Sequence, residues 1–546
     1  MSLLDLMGLV LVCAKALMLV VGVCFFLSGI DDLIVDFIYV LRSLYRRWFI
    51  LPGHEPLTPE KLRDRPEQPV AVMIPAWDES AVIRPMLLNT LRSIEYRNYT
   101  IFVGTYLNDA DTQREVDLVV AQDTRVKKIV TPHDGPTNKA DCLNWIYSGI
   151  RQHELATGTQ FQIFVMQDCE DVIQPMCYKV FNYLIPRRDM IQLPVESLPT
   201  PWYQMTGGHY IDEFAQSHYK DMLVREAIGA SLPAAGVGAA FSRRAVVHLA
   251  STHSNELFST ESLTEDYEFG FRLHQAGFSQ AFVRVMVPKS GLRRHWLTRK
   301  PVPSVWRETV CVREYFPDQF KFSVRQKSRW VVGIAMQGWA NLGWQGNAAT
   351  RYMLLRDRRA TVTNLMNLLG YLLVMLVGGL WLVHALLPDS YEFPPLMEKH
   401  TFLWDVMVAN VGMFVVRIVM RAYCTGRLYG GEQALLSFPR MIWGNFINFL
   451  ATGRAIRLYI AYLKTGRFIK WDKTAHRYPN QEELAPAAPP RRLGELLLAD
   501  RHISQEQLEA ALTQQQRTPN RLGEILKGMG YVRPEVIDSM LSRQAC

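Results

Sequence analysis

Acidic residues stand where short apolar runs of the chain end. The acids that follow three such runs are Asp78 and Glu79, then Asp109, then Asp168, Glu170 and Asp171. Carboxylates are ligands of hard divalent cations, and Mg²⁺ takes one or two of them together with substrate phosphates. The pattern therefore predicts a divalent cation, Mg²⁺ or Mn²⁺, and a ligand that carries phosphate. Taken one at a time, each acid is equally typical of a solvated loop or a helix cap.

Two later motifs carry further polar groups. Residues 264–266 (Thr-Glu-Asp) open the helical run YEFGFRLHQAGF, and residues 326–330 (Gln-Lys-Ser-Arg-Trp) put a cation beside an aromatic ring. Alone, the first motif is typical of an ordinary helix start, where a cap and acidic residues complement the helix dipole. Alone, the second is typical of a surface arginine that stacks on a tryptophan.

The elements that must position these residues are strands and helices in alternation. From Gln68 to about Gly343, short apolar runs alternate with helical patterns, which is typical of a mostly parallel α/β sheet. In such sheets ligands bind outside the carboxyl ends of the strands, where the acids stand. No GxGxxG or GxxxxGK[ST] pattern occurs, so dinucleotide and P-loop sites lose support. We predict one α/β domain over residues 67–350.

The order of the motifs resembles a known family. A strand-end Asp, then Asp-x-Glu-Asp, Thr-Glu-Asp and Gln-x-x-Arg-Trp, then apolar helices, is similar to the processive family-2 glycosyltransferases of the cellulose and hyaluronan synthase type. The resemblance covers residues 70–330. It implies a GT-A fold, a UDP-sugar donor and a polysaccharide acceptor, with an acceptor-contacting loop between residues 207 and 238.

The same resemblance implies a role for each motif residue. Asp78 or Glu79, together with Asp109, would lie beside the uridine, and Lys139 near the uracil. Asp168 and Glu170 would bind the metal, with Asp171 as a substitute ligand because Glu170 replaces the family's second Asp. Asp266 would be the catalytic base, since glycosyl transfer needs a base for the acceptor hydroxyl. The catalytic candidates are Glu265, Asp266, Gln326, Arg329 and Trp330.

Physical reasoning agrees with two of these roles and adds the stereochemistry. Arg329 suits the position where the diphosphate leaves, since positive charge is needed there, and Trp330 offers an apolar face to a sugar ring. A single base without a second carboxylate nucleophile predicts one displacement, and therefore inversion at the anomeric carbon. We expect a hexosyl- or N-acetylhexosaminyltransferase.

Three apolar segments predict membrane crossings. They are residues 6–30, 361–387 and 402–420, in the predicted membrane domains 1–30 and 351–421. Arginines follow the first segment and precede the second, so the positive-inside rule predicts that both large soluble parts face the cytoplasm of a bacterial inner membrane. Residues 31–66 are predicted to form an interfacial helix and a linker.

The charge of the chain is concentrated in one stretch. The 546 residues carry 60 Lys or Arg and 52 Asp or Glu, a net charge of +8. Residues 421–478 alone hold ten cations and two acids, which is also +8, so the rest is near neutral and a general nucleic-acid binder is excluded. We predict a basic interfacial segment on anionic lipid over residues 422–480. A hydrophobic fraction of 49% excludes disorder.

After a linker at 481–490, the C-terminal segment 491–546 contains a repeat. Residues 492–515 and 521–544 align at an offset of 29 with eight identities, and their helical periodicity predicts two helix pairs that pack together. The repeat resembles the MshE N-terminal domain of secretion ATPases, which implies a cyclic di-GMP site. Its residues would be Arg492, Leu493, Gly494, Gln515, Arg521, Leu522, Gly523 and Gln544. A helical docking module is the alternative.

Most of the chain, including the segment 471–479 (WDKTAHRYP), resembles the bacteriophage-adsorption protein B group. These are bacterial inner-membrane glycosyltransferases that build a surface glycan, so the resemblance implies polysaccharide synthesis under cyclic di-GMP control. The alternatives are a polyprenyl-phosphate glycosyltransferase and an inactive nucleotide-sensing scaffold. Because three crossings are few for a secretion channel, we expect a separate export partner.

Overall fold

The structure is a computed structural model. It describes residues 3–252, 256–294, 301–386, 396–466, 476–480, 493–499, 502–517 and 521–537. The chain divides into two compact units. The first comprises Met1–Val285 and Thr309–Tyr478, and the second Met286–Glu308 and Pro479–Cys546.

The strands are β1 (Val70–Pro75), β2 (Tyr99–Thr105), β3 (Val126–Val130), β4 (Ile163–Met166), β5 (Val172–Ile173), β6 (Met190–Gln192), β7 (Val195–Ser197), β8 (Ala239–Ser242), β9 (Gln280–Phe282), β10 (Met286–Arg294), β11 (Pro301–Thr309) and β12 (Val312–Glu314).

The α-helices are α1 (Leu3–Tyr45), α2 (Pro59–Arg63), α3 (Ile83–Ser93), α4 (Ala110–Val120), α5 (Lys139–Thr157), α6 (Cys177–Leu184), α7 (Met205–Gln216), α8 (Met222–Ala227), α9 (Arg243–Thr252), α10 (Glu265–Gln275), α11 (Phe320–Trp330), α12 (Gly338–Leu342), α13 (Ala348–Leu386), α14 (Phe402–Tyr429), α15 (Gly431–Thr465), α16 (Leu493–Ala499), α17 (Gln505–Arg517) and α18 (Leu522–Gly528). π-helical turns cover Arg46–Ile50, Ser217–Asp221 and Val331–Gln337, and a 3₁₀ turn covers Leu51–Gly53.

The first unit is built on a seven-stranded sheet in the order β3-β2-β1-β4-β8-β6-β9. Strands β3, β2, β1 and β4 are parallel, and β8 runs antiparallel to both of its neighbours. All six residues of β1 are buried, as expected for a central strand of a sheet that helices cover on both faces. The predicted GT-A-like α/β fold is confirmed. Because β1, β2 and β4 are parallel neighbours, the acids that follow them meet at one edge.

A small second sheet joins distant segments beside that edge. Its order is β5-β12-β7, in which β12 pairs antiparallel with β5 and parallel with β7. Strand β5 begins directly after Asp171, and β12 ends at Glu314, six residues before α11. The sheet therefore brings the chain that leads into α11 close to the end of β4.

In the part of the chain that the structure describes, three helices are long and apolar enough to cross a membrane, over Gly8–Gly53, Ala348–Leu386 and Phe402–Tyr429. They correspond to the three predicted crossings. The structure differs from the prediction at residues 31–45, which continue α1 instead of forming a separate interfacial helix. Asp31 and Asp32, where we expected the break, pair with Arg356 and Arg359 of α13, and these ion pairs hold the continuous helix against α13.

Helix α15 also differs from the predicted interfacial segment. It packs against α7, α11, α13 and α14 within the first unit. Arg440 is only 1% exposed and lies 2.9 Å from Asp212 of α7. Its charge is therefore neutralised inside the protein rather than at a lipid surface.

The second unit contains the two-stranded β10-β11 sheet and the C-terminal helices. One apolar cluster joins the two repeats, with Leu493 and Leu497 from the first and Ile525 and Leu526 from the second. The repeats pack together, as their periodicity predicts.

Candidate active site

Two hydrogen bonds join the loop after β1 to the segment after β2, and a third caps α4 within that segment. The Asp109 carboxylate caps α4 by accepting the N–H of Thr112 at 3.3 Å, and it accepts the N–H of Asp78 at 2.6 Å. The N–H of Glu79 donates to the Thr112 hydroxyl at 2.9 Å. The exposed Asp78 has a φ of 54°, a left-handed conformation that this capping stabilises. The structure thus brings the three predicted uridine-side acids together.

The turn after β4 holds the predicted metal ligands. Asp171 accepts the N–H of Asp168 at 2.8 Å, which folds the turn back on itself. The Asp168 carboxylate lies 2.6 Å from the Lys139 ammonium. Asp171 is fully buried, and its other oxygen, Oδ1, has no hydrogen-bond partner in the described part of the chain.

Lys139 occupies the first position of α5. A cation is disfavoured at a helix N-terminus, so nearby carboxylates must compensate for the helix dipole. Burial opposes the charge of Lys139, but Asp168, Glu265 and Asp266 together raise its pKa. We predicted this lysine beside the uracil, and the structure puts it among the carboxylates of the β4 turn and α10.

The candidate base lies at the start of α10, where the helix dipole favours a carboxylate. The backbone of Gly236, which has no side chain, lies directly against the Asp266 carboxylate. A Cβ on Gly236 would stand 2.7 Å from Asp266 Oδ2 and 3.2 Å from Lys139 Nζ, and its φ of 76° also favours glycine. Of the predicted acceptor-contacting stretch, residues 207–210 belong to α7, and Gly236 lies against Asp266.

A buried glutamine fixes the Gly236 loop. Gln192 at the end of β6 accepts the N–H of Ala235 at 2.9 Å and donates to the carbonyls of Val237 at 2.9 Å and Leu193 at 2.8 Å. Its side chain is fully buried. Sequence reasoning missed Gln192, because its role depends on pairing between β6 and β8 that no local pattern reveals.

His476 reaches the strand ends from a distant segment. Its Nδ1 lies 2.9 Å from a Glu79 oxygen and 3.3 Å from a Glu170 oxygen. Burial disfavours the imidazolium, but Glu170 and Glu79 raise the pKa of His476 to about 9. We had noted the motif 471–479 without assigning His476 a role. Residues 471–475 of that motif lie outside the described residues.

Crowding raises the pKa of several acids at this edge. Burial, with Asp168 and Glu79, raises the pKa of Glu170 to about 7 against the opposing effect of His476. Burial and Asp266 raise the pKa of Glu265 to about 8. Burial followed by Glu170 and Asp168 also raises the pKa of Glu314, a residue of β12 that the motifs did not indicate. Such crowding stabilises bound positive charge.

The carboxylates after β4 can supply some of the ligands that Mg²⁺ or Mn²⁺ requires. Among the described residues no three His, Cys, Asp or Glu side chains form a complete metal site. An ion that takes its remaining ligands from substrate phosphates and water needs only one or two carboxylates. Asp168 and Glu170, beside the unpartnered oxygen of Asp171, meet that need.

Helix α11 carries the Gln-x-x-Arg-Trp motif to the start of α10. The π-helical turn that follows α11 ends at Gln337, which accepts the N–H of Leu263 at 2.9 Å and donates to the Glu261 carbonyl at 3.1 Å. Gly333 of the same turn packs against Thr264, two residues before Asp266. The turn that directly follows the second predicted catalytic motif is therefore in contact with Thr264, the first residue of the other.

The side chains of Gln326, Arg329 and Trp330 are half-buried. Trp330 packs edge-on against Tyr210 and Phe214, at centroid distances of 6.1 and 6.2 Å. Oε1 of Gln326 is buried and has no hydrogen-bond partner among the described residues. A buried amide oxygen is costly to leave unpaired, so Gln326 suits a bound hydroxyl or amide.

The predicted cyclic di-GMP residues lie in the C-terminal repeats. Gly494 and Gly523 are packing positions: a Cβ on Gly494 would stand 2.6 Å from Leu508, and one on Gly523 would stand 3.1 Å from Leu493. Arg521 is exposed at the start of α18 and Leu522 is half-buried, as is Gln515. Arg492 and Gln544 lie outside the described residues.

Comparison with known proteins agrees with this geometry. Residues 163–385 match the family described as Glycosyl transferase family group 2. The chain is 39% identical over 513 residues to bacteriophage adsorption protein B of Escherichia coli K12, which covers 93% of this chain and 68% of that protein. The chain belongs to the bacteriophage adsorption protein B family. It is a family-2 glycosyltransferase.

Further relatives extend the comparison. Bacteriophage N4 adsorption protein B of Escherichia coli O157:H7 matches this member of the adsorption protein B family with the same identity and coverage. Among solved structures, the mannosyltransferase PcManGT of Pyrobaculum calidifontis, in complex with GDP-Man and Mn²⁺, has a TM-score of 0.46 and 12% identity. That match covers 79% of this chain and 99% of the mannosyltransferase.

Proposed function

We propose that the protein is an inverting glycosyltransferase that uses a UDP-sugar, a hexose or an N-acetylhexosamine, to extend a cell-surface polysaccharide. One observation carries this proposal. Lys139 lies against both Asp168, after β4, and the start of α10, where the bare backbone of Gly236 covers Asp266. A cation, a phosphate-side acid and a base within one cluster suit transfer from a nucleotide sugar to a hydroxyl.

In the proposed reaction, Asp266 takes the proton of the acceptor hydroxyl while that oxygen attacks the anomeric carbon of the donor. The bond between the anomeric carbon and the diphosphate oxygen breaks, and the diphosphate leaves with the electron pair. Arg329 supplies positive charge to the leaving group. One displacement inverts the configuration at the anomeric carbon.

Asp168 and Glu170, with Asp171 as a substitute, would hold Mg²⁺ or Mn²⁺. When bound, such an ion supplies positive charge where the diphosphate leaves. The N–H of Asp168 fixes one oxygen of Asp171 and orients the turn that carries these ligands. Asp78, Glu79 and Asp109, with Lys139, form the proposed nucleotide side of the site.

The first experiment measures UDP release by the purified protein across a panel of UDP-sugars, with Mg²⁺ or Mn²⁺. Release with one sugar and one ion supports the donor and cofactor. The Asp266→Asn variant is expected to bind UDP like the wild type and to lose turnover, because an amide cannot take the proton. Wild-type turnover in this variant would contradict the assignment of the base.

We further propose that the C-terminal repeats bind cyclic di-GMP and regulate the enzyme, and that both soluble parts face the cytoplasm of the inner membrane. The exposed Arg521 would contact the dinucleotide. Arg521→Ala is expected to abolish binding of cyclic di-GMP in calorimetry. Arg533→Ala, at an exposed position of the same repeat that is not among the predicted site residues, is expected to retain it. Binding of cyclic di-GMP by the Arg521 variant would favour a docking module instead. A separate export partner would then be the first candidate for the protein that docks on the repeats.

A further inference from the structure

The two residues inside the Gln-x-x-Arg-Trp motif both contact α15. Lys327 donates to the Glu213 carboxylate of α7 at 2.6 Å and to the Asn448 side chain of α15 at 2.8 Å. Asn448 in turn donates to Glu213 at 3.3 Å, which closes a triangle. Arg454 of α15 donates to the Ser328 hydroxyl at 2.6 Å.

These contacts are buried. Lys327 is 5% exposed and Ser328 is fully buried. The Lys327 ammonium also lies 5.1 Å from the centre of the Tyr210 ring. Although burial opposes its ionisation, Glu213 has a pKa of about 2 because Lys327 and other cations favour its charged form. Lys327 and Glu213 therefore form a charged pair with specific geometry.

Helical spacing groups the other three residues of the motif. Residues three and four apart share a helix face, so Gln326 lies on the same face as Arg329 and Trp330. The side chain of Lys327 is directed toward Glu213 of α7 and Asn448 of α15, and that of Ser328 toward Arg454 of α15.

Helix α15 is itself fixed to a candidate membrane span. Asn445 donates to the Tyr371 hydroxyl of α13 at 2.8 Å, and Asn364 of α13 donates to Thr452 at 3.0 Å. The orientation of α11 is thus set by a helix that is anchored to α13.

We propose that Lys327 and Ser328 are positioning residues, which act through Glu213, Asn448 and Arg454 of α7 and α15 to hold Arg329 and Trp330 toward the reacting groups. The proposal rests on the proposed function of Arg329 at the leaving diphosphate. Because Arg329 would act mainly in the transition state, its displacement lowers kcat more than donor binding.

The test distinguishes a positioning role of Lys327 from a contribution of the Lys327–Glu213 pair to stability. A buried charge without its partner is strongly destabilising, whereas apolar replacement of both partners is often neutral. We would compare Lys327→Met, Glu213→Leu and the double variant, and measure the unfolding midpoint, the affinity for UDP and kcat. All rates are taken well below the lowest midpoint, so that every variant is folded.

We expect the double variant to recover the midpoint and the UDP affinity while kcat stays reduced about tenfold or more, since small misplacements of catalytic groups can cost ~10²-fold. Lys179→Met, which breaks the remote Lys179–Glu67 pair of 2.8 Å, is the control and should leave kcat unchanged. Wild-type kcat in the double variant, or equal losses of kcat and UDP affinity, would overturn the proposal. Wild-type turnover by Arg329→Ala would instead refute the role of Arg329 itself.

Discussion

At the scale of single residues, Lys139 is the group on which the electrostatics of the site depend. It contacts Asp168 at 2.6 Å and favours the ionised forms of Glu265 and Asp266. A residue expected only to contact the nucleotide therefore also sets the ionisation of the proposed base. On the proposed function, Lys139 would thus link donor binding to proton transfer.

The pH dependence of Lys139→Met tests this link. Burial raises the pKa of Asp266 and Lys139 lowers it, so removal of Lys139 raises that pKa further. The base must be ionised to act, so the acid limb of the kcat profile should move to higher pH at saturating donor. Lys128→Met, which breaks an exposed pair with Asp117, should leave the limb in place. An unmoved limb in the Lys139 variant would contradict the link.

Gly236→Ala tests the close approach of backbone to base. The added Cβ would stand 2.7 Å from Asp266 Oδ2, so we expect a loss of turnover of about tenfold or more, consistent with the cost of small misplacements. Gly229 has a similar φ of 70° and open space around it, so Gly229→Ala carries the backbone strain alone, about 1 kcal/mol. Equal turnover in the two alanine variants would argue against a role for the close contact.

At the scale of elements, the features that could be predicted from the sequence are those that local patterns of residues encode. The apolar runs of β1, β2 and β4 and the acids at their ends were predicted, because buried parallel strands read as continuous apolar runs. The pairing of the three-residue β12 with β5 and β7, and the role of Gln192, could not be predicted. These depend on contacts between distant segments. The unbroken α1 was missed because its acids are partnered by arginines more than 300 residues away.

The link between the π-helical turn and α10 gives a prediction at this scale. Gln337→Leu would leave the Leu263 N–H and the Glu261 carbonyl without partners, at a cost of about 1–3 kcal/mol. We expect a lower unfolding midpoint and a reduced kcat, because the start of α10 carries Asp266. Gln345→Leu, at an exposed position bonded only to Gln275, should change neither quantity. A normal kcat in the Gln337 variant would show that this contact is purely structural.

At the scale of the whole molecule, His476 joins the segment after α15 to the strand ends almost 400 residues earlier. Its pKa rises from an ordinary 6.5 to about 9 on folding. A basic group whose pKa is raised on folding contributes its full stabilisation at pH values below its pKa in the unfolded state. That stabilisation is lost as the pH rises through the pKa of the folded state. The shift corresponds to about 3 kcal/mol at most.

His476→Gln is therefore expected to lower the unfolding midpoint most at or below pH 6.5, and the difference from the wild type should shrink as the pH rises toward and through 9. His502→Gln, at an exposed position in the C-terminal repeats, serves as the control and should show no such trend. A difference for His476 that stays constant with pH would mean that the imidazole contributes by packing rather than by charge.

The length of α1 has a consequence for how the enzyme meets its acceptor. Its 43 residues extend about 64 Å, of which the apolar core of a bilayer takes up about 30 Å. With α1 across the bilayer, the rest of the helix stands clear of it, and Arg42 there binds Glu226 of α8 at 3.4 Å. A rigid rod of this kind acts as a spacer. On the proposed function, the catalytic centre would work at a set height above the lipid, and we expect only an acceptor whose growing end is held at that height to reach Asp266.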